Sequence, residues 1–286
     1  MRQRPRLLLC NPEKALSPKL EFFHSEGVSS PDRAKILSRF PPILQRSLEN
    51  QIIPSFHYLC NLLQSSEKAI TAIKRSPCIL GDDLQNRVEP KVNYLRDIGV
   101  PESNIVRLLC NWPIIFLNYP SFEKTVDLVK KMGINPIRSQ FVIAIVTMLV
   151  VGKSEWDKKI DVYKRWGCSE EEVLTSFRKH PWCMMISVDK IIALMDIFVN
   201  KMGWDPSVVV KHYNLLTLSL EKRLIPRAAV LQYLSCEGLL KNNRYSPVTA
   251  FRVPEEEFLQ RFVNCYDEAP LLMKLYREAG SFTDGK

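Results

Sequence analysis

Glycine is scarce in this 286-residue chain, with 10 residues against 19 prolines. There is no glycine-rich phosphate loop and no Gly-x-Ser-x-Gly elbow, so two common routes to nucleotide and ester chemistry are missing. The four histidines, His24, His57, His180 and His212, stand far apart, and none falls in His-Glu-x-x-His or another metal-ligand spacing. Each is expected to face solvent or cap a helix. Acidic pairs such as Glu171-Glu172 fall at helix starts, where they favour the helix dipole. The sequence therefore predicts no enzyme, no cofactor and no metal. No pair among the eight cysteines has Cys-x-x-Cys spacing, and the positions lie on or near apolar faces, which predicts buried free thiols in a reducing compartment. No apolar run approaches the roughly 20 residues of a membrane span. The longest, FVIAIVTMLVV at 141–151, fits a buried helix, and no membrane partner is expected. Alternating strands and Asn-Gly hairpin turns are also missing, which excludes a β architecture. No Arg/Ser-rich, acid-poor leader is visible at the start of the chain.

The few glycines are ordered. Gly27, Gly99, Gly133, Gly167, Gly203 and Gly238 are separated by 72, 34, 34, 36 and 35 residues, and 72 is two units of 36. The missing member of the series falls near Leu63. Pro42, Pro77, Pro113 and Pro181 follow the same period, as do Pro18, Pro54 and Pro90, with Pro226 in a later unit. The stretch 76–113 shows what repeats. Val88, Val92, Leu95 and Ile98 form one helical face, and Gly99 supplies the left-handed cap that ends it. Ile105, Leu108, Leu109 and Trp112 form a second face, and Pro113 stops it by removing a donor and clashing with the preceding turn. Helix, turn, helix, proline break, at a period of about 35 residues, means a solenoid of stacked units.

Turn chemistry repeats with the period. Ser30-Pro31, Ser65 or Ser66, Asn135-Pro136, Ser169 with Glu172 in a capping box, and Asp205-Pro206 are the expected starts of second helices. Two proline breaks are missing, near Thr147 and near Asn214. LLLCNP at 7–12 resembles the end of a second helix, so the chain reads as starting inside a repeat. The reading places a helical-repeat domain over 1–245 and a loop and C-terminal capping helix over 246–286. The segment LLKNNRYSPVTAFRVP is expected to be a loop, and Phe258, Phe262 and Tyr266 to share one helix. The last residues, AGSFTDGK, are expected to fray.

Net charge is +9. Residues 251–286 hold 5 Lys+Arg against 7 Asp+Glu, so the repeats carry 35 against 24. A basic surface on a repeat scaffold suits a polyanion, most often nucleic acid. The candidate contacts sit at corresponding repeat positions: Lys130 and Lys131 before Gly133, Lys164 and Arg165 before Gly167, and Lys201 before Gly203. Lys158, Lys159, Lys222, Arg223 and Arg227 lie on first helices. Such cations grip phosphates; they position the protein and do not read bases. Trp112, Trp166, Trp182 and Trp204 are expected to pack between helices.

The pattern Pro-x-Ile-Leu … Pro-Lys-Val-x-Tyr-Leu-x-x-x-Gly-Val … Ile-x-x-Leu-Leu-x-x-x-Pro at 77–113 resembles the repeat of the mitochondrial transcription termination factor (mTERF) family. The likeness covers roughly residues 5–235, and the tail EEEFLQRFVNCYDEAPLLMKLY resembles the plant branch. The resemblance implies an all-α superhelix of about seven repeats, each two helices plus a short 3₁₀ turn. It implies a basic concave groove for double-stranded DNA or RNA, and residence in mitochondria or chloroplasts. It further implies regulation of organellar transcription, intron splicing or RNA maturation, alongside a polymerase or splicing factors, by a monomer. A pentatricopeptide-type repeat has a similar period but no proline break. A protein-interaction solenoid with no nucleic-acid contact is the alternative function.

Overall fold

Four first helices begin at a side-chain cap, whereas Ser17–Ser25 and Phe122–Lys131 begin without one. Ser47, Asp83, Ser187 and Ser219 each accept a hydrogen bond from the backbone amide three residues on, satisfying one orphan donor of the first turn. The inner prolines Pro54 and Pro226 follow turns wound as π-helix, Leu48–Ile52 and Leu220–Leu224. The wider turn lets the chain run on as Ile53–Leu63 and Ile225–Cys236 past a residue that would otherwise break it.

Between the two helices of a repeat, the chain reverses on a residue with positive φ. Gly27, Gly99, Gly133, Gly167, Gly203 and Gly238 all adopt it, with φ between 66° and 88°. The gap in the glycine series is filled by Gln64, φ 53°, the one non-glycine with positive φ among the described residues. Second helices then start at side-chain caps from Ser29, Ser65, Ser169 and Asp205. Ser29 rather than Ser30 is the cap of the first, which shifts Pro31 to the second helical position. The Ser169–Glu172 capping box is formed in both directions. Asn135 instead closes a turn by accepting from the Ile137 amide at 3.0 Å, and the helix begins only at Ser139.

Second helices end at a residue that proline forces out of the helical region. Phe40, Ser76, Trp112 and His180 have φ between −147° and −136° and ψ between 50° and 84°. Each carbonyl accepts from the amide three residues later, opening a short turn: Pro41–Gln45, Pro77–Gly81, Ile114–Asn118 and Pro181–Met185. His212 makes the same break without a proline, with φ −99° and ψ 59°. The Tyr213 ring that takes the proline's place lies 4.2 Å from the His180 ring of the preceding repeat. Near Thr147 there is no break. The helix runs on to Gly152, whose φ of 71° and ψ of 162° interrupt Ser139–Arg165.

The computed structural model describes residue 13 and residues 16–240 and 247–281. The LLLCNP stretch, Cys10 and the last five residues lie outside them. The described residues are all-helical, with no strand, and contacts divide the chain into two compact units, Met1–Leu149 and Val150–Lys286. The core of each is built from the apolar faces read above. Val88, Val92, Leu95, Ile105, Leu108 and Leu109 are buried in the first, and Val173, Phe177, Leu194, Phe198, Val209 and Leu231 in the second. Trp204 is stacked on Phe198 at 4.7 Å, as packing and not as an open platform. By length and composition Ser139–Arg165 is apolar enough to cross a membrane. Gly152 divides it, however, and Phe141, Val142, Ala144, Ile145 and Val146 are fully buried in the repeat core. The seven described cysteines are free thiols, but only Cys168 and Cys183 are buried; Cys236 and Cys265 are exposed.

The C-terminal segment differs from its sequence reading. Pro247–Arg252, expected as loop, is a helix that buries Val248, Ala250 and Phe251. The expected single capping helix is two, Glu255–Phe262 and Ala269–Ser281. Phe258 and Phe262 stack at 5.1 Å, while Tyr266 falls in the turn between the helices.

Candidate nucleic-acid interface

The ten cations picked from the sequence separate into four groups. Lys130, Lys131, Arg165 and Lys222 are exposed. Among the described residues they have no carboxylate partner. Lys158, Lys164 and Lys201 are exposed but ion-paired, to Glu155 at 2.7 Å, Glu170 at 2.7 Å and Asp196 at 3.4 Å. The Glu170 carboxylate holds the Lys164 amine above the ordinary lysine range. Arg223 is half-buried and reaches the Val253 carbonyl at 3.5 Å.

Lys159 and Arg227 do not belong to a phosphate surface at all. Lys159 is 5% exposed, and its amine donates to the Met184 carbonyl at 2.8 Å. Arg227 is 1% exposed and donates to the Ala250 and Val253 carbonyls, each at 2.8 Å. Its guanidinium lies 4.6 Å from the Phe258 ring centre. Burial pushes both side chains below their ordinary pKa ranges. A buried cation is tolerated when its donors find partners, and carbonyls at the end of the same repeat accept from Lys159 Nζ and from Arg227 Nη1, while Arg227 Nε is left without a partner.

The pair has counterparts. Lys19 donates to the Leu44 carbonyl at 2.9 Å and Lys91 to the Phe116 carbonyl at 2.6 Å. Lys19, Lys91, Lys159 and Arg227 are separated by 72, 68 and 68 residues, so the device recurs at every second repeat. In each, a cation near the start of a first helix crosses to the closing turn of its own repeat and holds the two ends together.

Other exposed cations escape a register anchored on glycine. Arg39, Arg75 and Lys179 stand two residues before Pro41, Pro77 and Pro181, and Lys211 two residues before Tyr213. All four are exposed at the ends of second helices, where a cation also favours the helix dipole. Aligning the chain on its breaks would have found them. Charge divides unevenly between the two units. Residues 1–149 hold 20 Lys+Arg against 13 Asp+Glu, net +7, and residues 150–286 hold 20 against 18, net +2. Among the described residues no group of histidine, cysteine and carboxylate side chains is arranged to hold a metal ion.

No curated protein matches the sequence. The mTERF family model matches residues 1–149 and 102–259 in two overlapping stretches, which together take in every repeat described above. Glycine-capped helix pairs, proline breaks and that match agree: the chain is a member of the mTERF family.

Proposed function

We propose that this protein is a non-catalytic nucleic-acid-binding regulator of organellar gene expression, acting in transcription or in RNA maturation. Family membership is the observation that carries the reading. The excess of cations over carboxylates on the repeats supports it, because a helical scaffold with exposed, unpaired Lys and Arg attracts a phosphate backbone. Binding is electrostatic docking along a basic groove, and it obstructs or guides a polymerase or a splicing complex. Lys130, Lys131, Arg165 and Lys222 remain the sequence-derived contacts.

Titrating the whole chain against matched duplex DNA and single-stranded RNA over a salt series tests this. Tight binding to one of them is expected, falling steeply as salt rises, because each neutralised phosphate releases a counterion. Arg165→Gln with Lys222→Gln is expected to flatten the slope by about 1–2 units. No binding to either nucleic acid at low salt would sink the reading in favour of a protein-interaction solenoid.

A further inference from the structure

We propose that the phosphate backbone is gripped by the row of second helices in the first unit, through Arg39, Arg75 and Arg107, with Lys35 and Lys68 beside them. The proposal rests on the nucleic-acid reading above and says where in the chain that reading is carried out.

The second helices Ser30–Arg39, Ser66–Arg75 and Glu102–Asn111 lie side by side. Arg39 Nη1 donates to the Lys74 carbonyl at 2.9 Å, and Cys110 Sγ lies 3.8 Å from the Lys68 carbonyl. Each helix buries its apolar stripe: Ile36 on the first, Ala69, Ala72 and Ile73 on the second, and Ile105, Leu108 and Leu109 on the third. The opposite stripe is exposed, and repeat-equivalent positions fall on it. Lys35, Thr71 and Arg107 form one exposed column, and Arg39 and Arg75, followed by the half-buried Asn111, the next, each 36 residues apart. Packed helices stand roughly 8–10 Å apart. Arg39 and Arg75 therefore stand one helix spacing apart, while Thr71 puts Lys35 and Arg107 two spacings apart.

The carboxylates leave this row its charge. Asp32 is paired with Lys74 of the second helix at 2.9 Å, and Glu102 with Arg96, outside the row, at 2.8 Å, and neither pair uses Arg39, Arg75 or Arg107. Only Glu67 remains on these three helices. A cavity of about 460 Å³ opens beside the second and third of them, lined by Lys68, Arg107, Gln64 and Ser103 together with Glu102 and the apolar Leu62, Leu63 and Val106. The second unit has the lower net charge, +2 against +7. Three of its candidates, Lys158, Lys164 and Lys201, are paired, which leaves Arg165 and Lys222 as the unpaired, exposed ones there. Guanidinium groups suit the task, since their planar fork matches phosphate oxygens.

The test uses the full chain with the duplex and single-strand probes. Arg39→Gln/Arg75→Gln/Arg107→Gln is expected to flatten the salt slope by about 2–3 units on the preferred probe, at roughly 0.7–0.9 per cation. The matching triple Arg→Lys variant keeps most of the slope, because it keeps the charge. Should losing the Arg39–Lys74 contact unfold the triple variant, Arg75→Gln/Arg107→Gln breaks no side-chain bond and is expected to flatten the slope by about 1–2 units. Lys124→Gln/Lys153→Gln removes two charges off the row and should leave the slope near its original value. Original protein that binds, with an unchanged slope in the row variants or an equal loss in both double variants, would overturn this assignment while leaving the nucleic-acid reading standing. Original protein that binds neither probe would remove both.

Discussion

At the scale of single residues, the turns between helices are set by a backbone angle, and one side chain meets that demand at a cost. Gln64 occupies the left-handed position that glycine fills in six other repeats. A residue with a Cβ pays about 1–2 kcal/mol there, and glycine returns part of the gain through its larger unfolded-state entropy. Gln64→Gly is expected to raise stability by about 0.5–1 kcal/mol, read as a higher urea midpoint at constant slope. An unchanged or lower midpoint would show that the Gln64 side chain, which donates to the Asn61 carbonyl at 2.7 Å, matters more than the angle. The sequence pointed to this position, since the glycine series has its gap beside it, but it could not show that glutamine takes up the angle. Capping adds a pH dependence. The Ser169 amide and hydroxyl hold the Glu172 carboxyl below the usual carboxylate range. Its stabilisation is therefore fully present above the ordinary value of about 4.3, and is lost as pH falls through the lower folded-state value. Thermal melts between pH 7 and pH 3 should fall less for Glu172→Gln than for the original protein. Parallel curves would mean the box contributes nothing that titrates.

At the scale of the helix, neighbouring cations part company. Lys158 and Lys159 are adjacent in sequence, yet one lies in solvent and the other under the closing turn of its repeat. A step of one residue turns the helix by a quarter or more of a circle, which a reading of charge clusters does not resolve. The Lys164–Glu170 pair was equally hidden, because it bridges the Gly167 turn and not the i,i+4 spacing within a helix. Periodicity of the apolar faces was legible because many residues vote on it; the facing of one lysine depends on a single angle. The structural role of Lys159 makes a sharp prediction. Lys159→Met keeps the apolar stem and removes the donor to Met184, leaving a buried carbonyl unsatisfied. Stability should fall by about 1–3 kcal/mol in denaturant melts, with no change in the salt slope of nucleic-acid binding. A flattened slope in a variant of unchanged stability would return Lys159 to the binding surface.

At the scale of the whole chain, the breaks between repeats were legible where proline makes them and illegible where something else does. His212 makes its break beside a packed tyrosine, and Gly152 makes one by conformation alone. Gly152 stands five residues beyond the place where the period puts the missing break, so a search in register for proline passes it by. Its φ of 71° and ψ of 162° fall in a region open to glycine and little else. A Cβ there would meet no atom within 4 Å, so the backbone angle is the whole penalty for a side chain. Gly152→Ala is expected to lower stability by about 1–3 kcal/mol, although the site is roomy and alanine is the better helix former. If the substitution instead raises the denaturation midpoint, residues 139–165 prefer one continuous helix, and the interruption is not what the fold requires. A loss of the expected size would show that glycine can stand in for proline as the punctuation of this repeat, three residues from the boundary at Leu149 between the two compact units.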